Sequence, residues 1–414
     1  MVETDIIFSN AAIQNRSYDL DTSPGKMVGI MVAQFLNRVF DNPEVVHVWN
    51  NVGMFDEVER NDPCVRLENK YKSSVMQRHL DYWGIDGQLE ILTDEDDNFS
   101  DWTLAFLQRR LDKGDIYIQG ANFHVCDHCD LVIAESVVDV ERCGRCEGTA
   151  LYDAFEPALF VDMPEDRSTL LPQRSVFNAI NIRQEQAALS QIPPRLLLSR
   201  ARTRGIELKD FGLADKKLDP RLGIGLLALY IAEINDYAKG CLVQSTSTLM
   251  RTVPYIKSVV VDADRLHVPE PFFAAHMKID THLLTDVNLP AIEQQVLLPL
   301  ASLRRKQDVR PNDLTGIRTE LSKTKARVES NIEVLGRLGL LGDQNACMPE
   351  DINRVIIKGK LNDLLPTLNK TLGKSIYDMK RLTTTDVTES VRENARGTIT
   401  TINFYQKIFG EKAE

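Results

Sequence analysis

No stretch of this chain approaches the ~18 uninterrupted apolar residues that a membrane helix needs, so no membrane partner is expected. The first residues, Met1-Val-Glu-Thr-Asp5, lack the basic start and apolar run of a signal peptide. Internal repeats and low-complexity linkers are missing too, which argues against solenoids and disordered tails. Tryptophan is scarce: Trp49, Trp83 and Trp102 are the three present, so platforms for stacking bases are thin in the C-terminal part. Cysteine is scarce as well, seven in 414 residues. Cys64, Cys241 and Cys347 stand alone, as reduced thiols in a cytoplasm do, and a cytoplasmic protein is expected.

The other four cysteines are concentrated. Cys126-Asp-His-Cys129 is followed, after thirteen residues, by Cys143-Gly-Arg-Cys146. Two C-x-x-C pairs supply four thiolates, the ligand set of a closed tetrahedral Zn2+ site. Four thiolates fill the coordination sphere, so the zinc is expected to be structural. Gly144 and Gly148 suit a tight knuckle turn. Two disulfides are the alternative, and they need an oxidising compartment. His128, inside the first pair, either replaces a cysteine or lies exposed on the turn.

At this length two or three domains are expected. The net charge of −11 is unevenly spread. From residue 301 onward there are 20 Lys and Arg against 15 Asp and Glu, which leaves 29 against 45 in the first 300. A mildly basic tail on an acidic body either faces nucleic acid or docks on the body.

The first part alternates. Ile6–Phe8 reads as a buried strand, Met27–Phe40 as a helix apolar over much of its circumference, and Val45–Trp49 as a second strand. Such a βαβ unit builds a parallel sheet. A helix over 71–83, a strand at Leu89–Leu92 and an amphipathic helix over Ser100–Leu111 follow. Beyond the cysteines, Arg195–Leu198 and Val259–Val261 read as strands. From about Pro290 the pattern is helical, including Glu320–Leu335 and Ile352–Leu372.

Ser23-Pro24-Gly25-Lys26 offers an N-cap and a proline at the first helical position. Lys26 then falls in the first turn, where the helix dipole disfavours a cation. A bound anion beside it resolves the conflict; otherwise Lys26 points to solvent or pairs with Asp19 or Asp21. Gly223-Ile-Gly225-Leu-Leu-Ala228 matches a dinucleotide fingerprint by letter. The residues before it, KKLDPRL, read poorly as a strand, and dinucleotide binding is discounted.

The order of elements resembles a class I aminoacyl-tRNA synthetase of the methionyl type. The run from Tyr71 through Gly84-Ile85, Phe99-Ser-Asp-Trp102 and Leu111–Tyr117 to Cys126 is similar to the approach to that family's zinc-bearing insert. Leu198-Ser-Arg200 with Arg204-Gly-Ile206 resembles the segment that re-enters its catalytic fold. The resemblance implies an α/β fold with a Rossmann-like parallel sheet, a zinc-knuckle insert and a C-terminal helical domain. The implied boundaries are 1–118 and 166–290 for the two catalytic halves, 119–165 for the insert, and 291–414 for the helices.

The signatures of that family are not preserved. Ser23-Pro-Gly-Lys26 stands where HIGH belongs, keeping Gly25 and putting Lys26 in place of the second histidine. Phe272–Asp280 and Glu320–Thr324 are poor matches to KMSKS, and Gly225–Tyr230 replaces the W-x-D-A segment. Each preorganised donor to a phosphoryl transition state contributes on the order of 3 kcal/mol, so other cations must substitute. Lys26, Arg200, Arg202 and Arg204 are available. The three arginines, at alternate positions, either clamp a phosphate or carboxylate or form a solvated strand face.

The resemblance therefore implies a diverged ATP- and Mg2+-dependent amino-acid ligase outside ordinary tRNA charging. Ser23, Gly25 and Lys26 would bind the nucleotide and Arg200, Arg202 and Arg204 a carboxylate, with an amino acid and a tRNA or carrier protein as partners. Two alternatives stand beside it: a non-catalytic pseudo-synthetase with a binding or regulatory role, and an aminoacyl-tRNA ligase with altered motifs.

Overall fold

The computed structural model describes residues 6–10, 24–39, 44–48, 89–90, 94, 96–129, 132–135, 140–143, 146–166, 192–201, 204–235, 240–245, 254–255, 258–259, 273–274, 297–301, 311–341, 349–357 and 363–409. The expected helix over 71–83 lies outside them.

Strand β1 (Ile6–Asn10) leads to helix α1 (Pro24–Val39) and strand β2 (Glu44–Val48). The two strands are parallel neighbours, with Ile6 opposite Glu44 and Asn10 opposite Val48. Strand β3 (Leu89–Glu90) adds outside β2. Much later in the chain, β11 (Gly240–Ser245) pairs with the other side of β1, and β12 (Phe273–Ala274) completes the sheet. The order β12-β11-β1-β2-β3 is parallel throughout and reverses direction at β1.

Helix α1 packs over β1, β2, β11 and β12 and also meets the C-terminal helices. Burial on two sides explains its apolar circumference: Met31, Val32, Phe35, Leu36 and Val39 are all buried. They share one core with residues 297–301 and with helices α4 (Pro311–Arg337), α5 (Glu350–Ile357), α6 (Leu364–Met379) and α7 (Glu389–Phe409). The Phe35 and Phe409 rings lie 6.2 Å apart. The stretch expected as one helix, Ile352–Leu372, spans α5 and the first part of α6.

Helix α2 (Asp97–Lys113) is bounded by local chemistry. The Asp96 side chain accepts from the Phe99 N–H at 3.0 Å, and Gly114 closes the helix at φ +77°, a conformation that costs other residues their Cβ clearance. A four-stranded antiparallel sheet follows, ordered β5-β4-β6-β7: β4 (Tyr117–Cys126), β5 (Val132–Glu135), β6 (Leu151–Asp162) and β7 (Arg195–Leu197). The strand expected at Arg195–Leu198 thus belongs to this sheet and not to the parallel one. A third sheet, also antiparallel, is ordered β8-β10-β9 from β8 (Ser199–Ala201), β9 (Glu207–Leu208) and β10 (Leu213–Leu218).

Helix α3 (Pro220–Ile234) follows β10 directly, and a second core joins α2, α3 and these strands. Two sequence expectations need correction. Val259, expected in a strand, is helical together with Ser258, because β-branching is only a weak preference that packing overrides. KKLDPRL does contain strand residues: Lys216–Leu218 end β10, which an irregular register had hidden as a pattern.

Candidate functional site

The four cysteines meet where β4 ends and β6 begins. Cys126 is the last residue of β4, and Leu151, which pairs with it, is the first of β6. Between them the chain folds back: the Asp127 N–H donates to Ala150 O at 3.0 Å and the Cys143 N–H to Gly148 O at 2.8 Å. Glu147 takes a left-handed φ of 58° to close this turn. A Cβ on Gly148 would lie 3.3 Å from Cys146 Sγ, so a bare glycine lets the sulfurs converge. Gly144 lies outside the described residues, and His128 is exposed on the turn.

All four Sγ atoms lie within 4.8 Å of one another, with 3.4 Å between Cys126 and Cys146 and 3.7 Å between Cys129 and Cys143. A tetrahedron with zinc–sulfur bonds of ~2.3 Å has edges of about 3.8 Å. A disulfide would need about 2.05 Å, and none of the four cysteines is in one. The donor set also fits a cation chemically. The Gly148 backbone lowers the Cys146 pKa, but hydrogen bonding with Cys126, burial, and the Cys129 and Cys143 thiols push it up to about 12. The cluster could therefore hold zinc, with no position left open for substrate.

The second region is the carboxyl edge of the parallel sheet. Because α1 carries the chain from β1 back to the parallel β2, its first turn lies at that edge, beside the reversal at β1. In open parallel sheets ligands bind at this place. Gly25 and Lys26 are the second and third residues of α1. Their side-chain surroundings, and all of Ser23, lie outside the described residues. Gly223–Ala228 lies inside α3, from its fourth residue onward, past the turn at Asp219, so those glycines form no phosphate loop.

Arg200 lies on β8, half-buried, and its Nε donates to Asp219. Arg204 is half-buried and has partners, and Arg202 lies outside the described residues. The structure thus brings Arg200 to residues that the sequence had not singled out. Asp219 is fully buried and caps α3: its Oδ1 accepts from the Arg221 N–H and Nε, both at 2.9 Å, and its Oδ2 from Arg221 Nη2 at 2.6 Å. Burial alone would raise the Asp219 pKa, but Arg200 and Arg221 hold it well below the usual carboxylate range. Arg221 in turn lies over the Tyr255 ring, 4.4 Å from its centroid. The signal available in the sequence was Asp219-Pro220, an N-cap followed by a first-turn proline.

Among solved structures, the chain is similar to the methionyl-tRNA synthetase of Mycobacterium tuberculosis. With the enzyme in complex with methionyl-adenylate, the TM-score is 0.60 at 14% identity, over 99% of this chain and 92% of that one. A second methionyl-adenylate-bound structure gives 0.61, 14% and the same coverage. The chain is folded like a methionyl-tRNA synthetase. The apo form of that enzyme agrees, with a TM-score of 0.59 at 12% identity over 99% and 90% of the two chains. No protein-family model matches the sequence, and no curated protein matches it. Among the described residues of this synthetase-like fold, no helix is long and apolar enough to cross a membrane.

Proposed function

We propose that this protein is a synthetase-like ligase that activates an amino acid with ATP and Mg2+ outside ordinary tRNA charging, in specialised metabolism in the cytoplasm. The observation that carries the reading is the likeness to methionyl-tRNA synthetase over 99% of the chain, including structures that hold methionyl-adenylate. Segments 1–118 and 166–290 form the two catalytic halves around a Rossmann-like sheet, 119–165 the insert and 291–414 the helical domain. Cys126, Cys129, Cys143 and Cys146 hold a structural zinc that fixes the distal end of the β4–β6 hairpin.

Ser23, Gly25 and Lys26 meet the nucleotide at the start of α1, where free backbone N–H groups and the helix dipole attract phosphate. Lys26 adds a full charge where the signature histidines are missing. Arg200, Arg202 and Arg204 face the carboxylate of the amino acid. The acceptor is a second small molecule, a carrier protein or a tRNA. Lys26→Ala should lower amino-acid-dependent exchange of pyrophosphate into ATP at least about tenfold, the effect of one lost phosphate donor. Unchanged exchange would remove Lys26 from this role.

One observation favours a second reading, a non-catalytic pseudo-synthetase: Arg200 is already engaged by a buried carboxylate. On that reading the protein binds amino acid or tRNA but never forms an adenylate. Equilibrium binding without exchange would distinguish it.

A further inference from the structure

The small antiparallel sheet carries more cations than anions on one face. Register sets Arg200 on β8 opposite Lys217 on β10, and Lys217 opposite Glu207 on β9, so the three side chains share a face. Asp219, two residues past Lys217, closes the row with Arg221. Each carboxylate serves two cations. Glu207 pairs with Lys217 and, at 3.2 Å, with Lys209; Asp219 pairs with Arg200 and Arg221. The exposed Asp210 and Asp215 are close in sequence and join none of these pairs. Around Asp219, two guanidinium groups over one carboxylate leave an excess of positive charge.

The excess is most constrained around Asp219. A guanidinium has five N–H donors; Arg200 gives Asp219 only Nε, and Arg221 gives Nε and Nη2. The Arg221 guanidinium carbon also lies over the Tyr255 ring, 4.4 Å from its centroid. Two forks are thus fixed side by side with N–H groups left over, and one buried carboxylate neutralises only one of them. A partly buried charge without a counter-ion is costly, and two preset forks match an oxyanion.

We propose that Arg200 and Arg221, held in place by Asp219, form a binding site for one compact oxyanion, a carboxylate or a phosphate group. The short link from Ile234 to Gly240 sets the end of α3 beside the start of β11. The first turn of α3, about 22 Å away, then lies toward the edge on which α1 begins. The site extends the carboxylate role given to Arg200 above and rests on that reading for Arg200 alone; anion binding requires no adenylate chemistry.

Phenylglyoxal modification of the full chain, read peptide by peptide by mass spectrometry, tests this on the native protein. Inorganic phosphate, acetate and glycine are the probes, and the exposed Arg354 is the internal reference. Protection of Arg200 and Arg221 at least about threefold beyond Arg354 is expected from charge-assisted hydrogen bonding. Protection by phosphate alone assigns a phosphoryl ligand, and protection by acetate or glycine alone a carboxylate. Arg221→Lys, which keeps the charge and loses the fork, should cut protection of Arg200 severalfold. Equal modification rates with and without every probe overturn the site. Loss of pyrophosphate exchange with protection retained removes the ligase reading and leaves the site standing.

Discussion

Asp219→Asn isolates the buried charge at the head of α3. Asp219 is fully buried and accepts four hydrogen bonds, three from Arg221 and one from Arg200. Asparagine keeps the volume, and its oxygen can still cap the helix, so the ~1 kcal/mol of an N-cap is largely retained. What is lost is the negative charge between two guanidinium groups. Breaking a buried pair costs about 3–5 kcal/mol. Arg200 and Arg221 are 34% and 31% exposed and rehydrate in part, so the low end, about 3 kcal/mol, is expected. Urea unfolding followed by tryptophan fluorescence reads the difference. The pH dependence supplies a second check. A carboxylate with a depressed folded pKa contributes stability above its unfolded value, about 3.9, and loses it only as pH falls through the folded value. The gap between wild type and variant should therefore be flat from pH 8 to about 5 and narrow only in acid. A cost below about 1 kcal/mol, or a gap closing between pH 8 and 6, would refute the ion-pair account.

Other consequences follow from the same geometry. Purified protein should carry one equivalent of zinc by elemental analysis, and Cys143→Ser should lose it and raise amide exchange in β4 and the start of β6. Leu36→Ala should cost about 2–5 kcal/mol and weaken exchange protection in α1 and α7 together, since both share one core; loss confined to α1 would separate them. Gly114→Ala should cost about 1 kcal/mol in urea unfolding because of its left-handed φ, whereas the nearest atoms to a Cβ on Gly120 belong to the largely exposed Phe155 ring, which can swing away. Burial pushes the Tyr255 and Tyr405 hydroxyls up to about 12. Their stabilisation is present below the unfolded value, about 10, and is lost as pH rises through the folded one. Absorbance titration should show at least two phenols ionising late; ordinary titration of all ten tyrosines would contradict this.

The parts of the fold that were legible in the sequence are those with local causes. The β1–α1–β2 unit showed as β-branched runs around a proline-started apolar helix, and the cysteine cluster showed through its two C-x-x-C spacings. Val259 was misread because a β-branched run says little once tertiary packing decides. Strand β10 was missed because its charged residues and irregular register erase the alternation that marks a strand. Asp219, Arg221 and Tyr255 could not be assembled from sequence, since their meeting depends on where β8, α3 and the segment at 254–255 come together. Arg200 was singled out as a cation of interest, but its partner lay nineteen residues away.

Amino-acid-dependent exchange of labelled pyrophosphate into ATP is the most direct test of the proposed ligase. Protein shown to hold its zinc would be assayed against a panel that includes non-protein amino acids. The account predicts exchange with at least one of them, which would establish adenylate formation and name half of the reaction. No exchange with any member of the panel would contradict it and leave the fold in the service of binding alone.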